Sequence, residues 1–131
     1  MDALVDALIR FAKETLAKHG EFFPFAAAVT GTGAVEMVGG YTEEERPPSQ
    51  AVIDWLYQGL ADRARGGEIQ ASGVCFDVRL PERVNTDAIQ ISLEHASAEA
   101  VNVFLPYKRQ RIGGVKYGEL FATPGERRVF S

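Results

Sequence analysis

Apolar and polar residues alternate between Val74 and Val103, and this constrains the fold more than any other feature of the chain. Val74, Phe76, Val78 and Leu80 alternate with Cys75, Asp77 and Arg79. Ile89, Ile91 and Leu93 alternate with Gln90, Ser92 and Glu94, and Val101 and Val103 flank Asn102. A period of two marks β-strands with one buried and one polar face. Strands are expected near 69–80, 87–95, 99–107 and 115–122. Pro81 ends the first of them. Asn85-Thr86-Asp87 and Ala96-Ser97-Ala98 fit turns, and Gly113-Gly114 fits a tight hairpin.

Upstream the period changes. Leu4, Leu8 and Phe11 recur at helical spacing, widened by Val5, Ile9, Ala12 and Leu16, which predicts a helix over 2–19. Asp2 and Asp6 suit its positive end, Lys18 and His19 its negative end, and Gly20 its stop. Residues 25–30 and 34–38 read as a hairpin around Gly31-Thr32-Gly33. Gly39-Gly40 and the polar stretch from Thr42 lead to Pro47-Pro48, which stiffens the entry to a second helix capped near Ser49. Val52, Leu56 and Leu60 form its buried stripe, beside Ile53 and Ala64, and Gly66-Gly67 ends it at about Arg65. The Phe22-Phe23-Pro24-Phe25 segment reads as core packing where the first helix turns into the sheet.

This order predicts a single α+β domain over 1–131, a two-layer structure with a mostly antiparallel sheet and both helices on one face. Burial then sets the register, because a slip of one residue moves every side chain to the other face. With the apolar sets aligned, Phe76 faces Leu93, Val78 faces Ile91, Leu93 faces Val101 and Ile91 faces Val103. The glycine turn would place Lys108 opposite Glu119 and Pro106 opposite Phe121. The far face would then present Cys75, Asp77, Arg79, Gln90, Ser92, Glu94, Asn102, Phe104, Pro106 and Phe121. Phe104 and Phe121 are out of place on such a surface. Either a loop or the C-terminal tail at Val129-Phe130 folds over them, or they belong to an interaction patch with a polar rim, or the register differs from the aligned one.

The chain has 131 residues and a net charge of −4, unevenly distributed. Residues 108–131 hold six basic side chains against two acidic ones, a balance of +4 that leaves −8 for residues 1–107. A basic hairpin of this kind serves solubility, or meets an acidic partner or the acidic part of a second copy. Nucleic acid is disfavoured, since the rest of the surface repels phosphate. One cysteine forms no intramolecular disulfide. The N-terminus lacks a basic signal-peptide region, and no apolar run approaches the roughly 20 residues of a membrane span. A soluble, cytoplasmic protein is expected, with no membrane contact.

Few residues suggest chemistry. His95 and Cys75 are the only nearby candidates for a dyad, and the aligned register puts them on opposite faces, with His95 opposite Val74 and Cys75 beside Glu94. Two distant histidines and one cysteine offer no metal-ligand spacing. Glu43-Glu44-Glu45, beside Arg46, reads as a solvated charge run. Gly31-x-Gly33 lacks the third glycine of a dinucleotide fingerprint, Glu36 standing in its place, and a strand follows it. Neither a catalytic residue, a metal site nor a cofactor is expected.

The order of a hairpin, a helix and a meander resembles the profilin-like and roadblock-type domains, over most of the chain and at the level of topology. The final strand departs from them, since those domains close with a helix. The resemblance implies a scaffold or regulatory module that self-associates. The expected function is a non-enzymatic protein-interaction module, a homodimer, in one form an acidic inhibitor or immunity-type protein. Its interaction face would comprise Phe104, Phe121, Arg79, Glu94, Tyr107, Arg109 and Arg111. The alternative is a small-molecule binding domain with a pocket between the Phe22–Phe25 segment, Trp55 and the sheet.

Overall fold

The computed structural model describes residues 2–39, 49–83, 86–110, 112 and 114–130. The elements are α1 (Asp2–His19), β1 (Phe25–Thr30), β2 (Val35–Val38), α2 (Ser49–Arg65), β3 (Ile69–Arg79), β4 (Asp87–His95), β5 (Ala98–Arg109), β6 (Val115–Tyr117) and β7 (Phe121–Pro124). The α+β class and the antiparallel sheet follow the hydrophobic patterning. The helices and first four strands also lie close to where periodicity put them. The expected strand 115–122 is instead two short strands, and β5 runs two residues further than 107.

The strand order is β2-β1-β3-β4-β5-β6, with β7 pairing β5 alongside β6. Thus β5 is long enough to hold β6 at its C-terminal half and β7 at its N-terminal half. Gly20 and Gly67 adopt positive φ after the two helices, as stop glycines do. Among the described residues no helix is long and apolar enough to cross a membrane.

The expectation of two layers is corrected. The two helices lie on opposite faces of the sheet, making three layers. Leu4, Leu8, Ala12 and Leu16 of α1 pack with Phe25, Ala27, Ala71, Cys75, Ile89 and Ile91. Val52, Ile53, Leu56 and Leu60 of α2 pack with Ala26, Ala28 and Val74. Alternating residues of β1 and β3 therefore serve different helices, which is possible only when the strand lies between them. Ala26, Ala27 and Ala28 are all fully buried. A continuous apolar run, rather than alternation, is the pattern of a strand covered on both sides.

The register explains the difference. Cys75 pairs with Ile91, Val74 with Ser92 and Phe76 with Gln90, where the aligned reading set Phe76 against Leu93. The displacement is three residues, an odd number, so it exchanges the faces of β3. Val74 and Phe76 turn toward α2, while Cys75 and Asp77 share the α1 face with Ile89 and Ile91. The β4–β5 register is as expected, with Leu93 on Val101 and Ile91 on Val103. The glycine hairpin is not: Lys108 faces Lys116, and Phe104, rather than Pro106, faces Phe121.

Gly73 sits where α1 presses closest to the sheet. A Cβ there would lie 2.5 Å from Leu8 Cδ1 and 3.2 Å from Leu93 Cδ2. Leu8 is fully buried, so its displacement strains the α1 layer. Gly73→Ala should cost about 1–2 kcal/mol in urea denaturation; wild-type stability would show that α1 yields at this contact.

Candidate functional site

α2 covers only the β1–β3 side of its face. The remainder, across β4, β5 and β7, stays open between α2 and the C-terminal residues. Those residues are held down by Glu94, whose side chain is only 1% exposed. Glu94 Oε1 accepts backbone N–H bonds from Arg128 (2.9 Å), Val129 (2.9 Å) and Phe130 (3.2 Å), and Oε2 accepts from Val129 (3.1 Å). Successive amides converging on one carboxylate make a strong charge-assisted anchor. Arg127 completes it by donating to the carbonyls of His95, Ala98, Ala96 and Phe130. Gly125 lets the chain approach β5, since a Cβ there would stand 3.1 Å from Val101 N. Val129 is thereby buried against the α2 core.

A groove of about 320 Å³ remains between this anchored segment and α2. Its lining includes Tyr57 from α2, Phe76, Gln90, Ser92 and Asn102 from the sheet, and Glu126 and Arg128 from the C-terminal segment. The floor is a chain of polar groups running across three strands. Gln90 Nε2 donates to Ser92 Oγ (3.2 Å), Ser92 Oγ to Asn102 Oδ1 (2.9 Å), and Asn102 Nδ2 to Pro124 O (3.5 Å). The Tyr57 hydroxyl shares a hydrogen bond with Ser92, and burial raises its pKa above the usual tyrosine value. The Arg128 guanidinium lies over the Tyr57 ring, 3.9 Å from its centroid, and pairs with Asp54 at 3.4 Å. The groove thus offers neutral donors and acceptors beside an aromatic wall, with one cation and one anion on its rim.

The seven residues expected to form one interaction face are dispersed. Phe104 and Phe121 do share the α2 face, stacked on each other at 4.9 Å with planes 13° apart, and Arg83 lies over Phe121. Val129 and Phe130 pack against the α2 core. Glu94 is on the same face but is buried and consumed by the chain's own C-terminus. Arg79, Tyr107 and Arg109 belong to the α1 face. There Tyr107, 1% exposed, donates to Asp77 Oδ1 at 2.7 Å. Burial, then that bond, raises the tyrosine pKa far beyond its usual range; burial also raises that of Asp77. Arg109 donates twice to Gly20 O (2.6 and 3.0 Å), capping α1, and pairs with Asp87 (3.4 Å), as Arg79 does (3.8 Å). Arg79 and Arg109 of the expected face are therefore engaged in internal bracing. Arg111 lies outside the described residues, as do Gly40, Thr42, Glu43-Glu44-Glu45, Arg46, Pro47-Pro48, Asn85 and Gly113.

The expected pocket between the Phe22–Phe25 segment and Trp55 does not form. Phe22 and Phe25 pack under α1, and Trp55 projects from α2 on the other side of the sheet, 55% exposed. His95 and Cys75 are also kept apart, for a different reason from the expected one. Cys75 is opposite Ile91 and His95 opposite Ala71, so alternation gives them the same face, about 13 Å apart along the strands. His95 Nδ1 accepts from Ser97 N at 3.0 Å in its own turn. Cys75 is fully buried, and desolvation raises its thiol pKa well above the usual value, which disfavours the nucleophilic thiolate. Among the described residues no cluster of His, Cys, Asp and Glu would hold a metal ion.

No family model, curated protein or solved structure matches the chain. The likeness to profilin-like and roadblock-type domains rests on element order alone.

Glu94→Ala removes the acceptor from three backbone amides at once. It should cost about 3 kcal/mol or more in urea denaturation. Trypsin should then cut at Arg127 and Arg128 before the rest of the chain. Wild-type stability and an uncut C-terminus would show that Glu94 does not hold this segment.

Proposed function

We propose that this protein is a non-catalytic binding module whose groove between α2 and the open half of the sheet takes up a small neutral ligand rich in hydroxyl or amide groups. The observation that carries this reading is the polar chain Gln90–Ser92–Asn102, left uncovered on the sheet floor beside Tyr57 and Phe76. These floor positions carry side chains that both donate and accept, which suits a ligand with both functions. Glu126 and Arg128 balance each other on the rim, so the groove favours no strongly charged ligand. The test is NMR shift mapping with a panel of neutral saccharides, polyols and amides. Binders should perturb Ser92, Asn102 and Tyr57, and Gln90→Leu should weaken them about three- to tenfold with stability nearly unchanged. Shifts confined to another surface, or equal binding by Gln90→Leu, would overturn the reading.

A second reading, self-association through the sheet, is favoured by the half-buried Phe104–Phe121 stack. Apolar area of that kind gains roughly 25 cal/mol per Å² when covered, though two rings alone do not offset the cost of association. Light scattering should then show a dimer that Phe121→Ser shifts toward monomer. A wild type that stays monomeric at high concentration would exclude it.

A further inference from the structure

Beyond the groove, the same face of the sheet carries a second, cationic cavity of about 370 Å³, where β5 and β6 meet the turn after β3. Arg83, Lys108 and Lys116 line it, and Pro106, Tyr117 and Gly118 contribute apolar surface and backbone. No carboxylate is among its lining residues, although Glu82 and Glu119 stand in adjoining segments. The register makes this more than a scatter of surface charge. Lys108 and Lys116 are direct cross-strand partners, an arrangement that disfavours the hairpin because like charges are held opposite each other. Strand alternation puts both on the face of Phe104, and Arg83 lies 5.3 Å from the centroid of the Phe121 ring stacked on Phe104. Three cations therefore converge from β5, β6 and the turn after β3, and among the described residues neither lysine has an ion-pair partner.

We infer that this cavity binds a soluble phosphorylated small molecule, its phosphate or diphosphate held between Lys108, Lys116 and Arg83 and its body against Pro106 and the backbone of Gly118. Three positive charges exceed what a single carboxylate would neutralise and suit a dianionic or more highly charged group. Arginine matches phosphate oxygens in bidentate fashion, and lysines act as point charges beside it. The bound anion would relieve the lysine repulsion, so occupancy and stability of the hairpin are linked.

Pyrophosphate is the probe, with chloride at matched ionic strength as control. The wild type should bind it saturably, and its thermal midpoint should rise by on the order of 5–10 °C at a hundredfold excess over Kd. Lys116→Glu should weaken binding at least tenfold. In phosphate-free buffer, however, it should melt no lower than wild type, because the new carboxylate faces Lys108. Arg83→Gln, in a turn, should lose affinity without that compensation. An equal response of wild type and Lys116→Glu, or an equal effect of chloride, would overturn the inference. So would binding to phosphoinositide-containing vesicles with none to pyrophosphate, since that would identify a membrane rather than a soluble ligand.

Discussion

The pairing of β3 with β4 is the constraint on which the rest of the structure depends. Nine residue pairs join the two strands, from Ala71–His95 to Arg79–Asp87. Had the register been displaced by an odd number of residues, every side chain of β3 would have changed face. As it stands, Cys75 enters the α1 core and Val74 the α2 core, so both helices find an apolar surface. Small residues make this possible. Ala27, Ala71 and Gly73 let α1 approach closely, and Ala26, Ala28 and Ser72 occupy the α2 side. The Ser72 hydroxyl is buried there and has no hydrogen-bond partner among the described residues.

The helices treat the two faces differently. On the α1 face the apolar core extends through Ile89 and Leu105 to Tyr107, and a polar cluster closes it. Arg109 joins that cluster to the end of α1 through Gly20 O, so this arginine serves the helix. On the other face α2 stops short of β4, and the C-terminal segment, anchored on Glu94, builds the opposite wall. A buried carboxylate is costly unless its lone pairs are satisfied. Here four backbone bonds satisfy it, and the groove owes its shape to that satisfaction.

Along β5 the exposed part of this face changes character within a few residues. Asn102 belongs to the neutral groove, Phe104 to the aromatic stack, and Pro106 and Lys108 to the cationic cavity. Alternation brings these four to one side of the sheet, while Val103, Leu105 and Tyr107 point to the α1 core. One strand thus separates a packed face from an open one simply by its period of two.

The sequence by itself determined the elements and much of their detail. Helical spacing from Leu4 to Leu16 and from Val52 to Leu60, together with the glycines that stop each helix, encode local structure that depends on near neighbours. Alternation in β4 and β5 likewise specified their mutual register, since a single turn joins two strands with matching apolar sets. The tertiary structure alone decided on which face each helix lies, because β3 carries apolar residues on both faces and alternation in Val74–Leu80 conceals it. The run Phe25–Val29 was the available signal that the sheet is covered twice. The dispersal of Arg79, Glu94, Tyr107 and Arg109, and the convergence of Lys108, Lys116 and Arg83, were also undecided by the sequence. Each depends on which strands pair and in what register, and that is a competition among burial, hydrogen bonding and close packing over distances no local pattern spans.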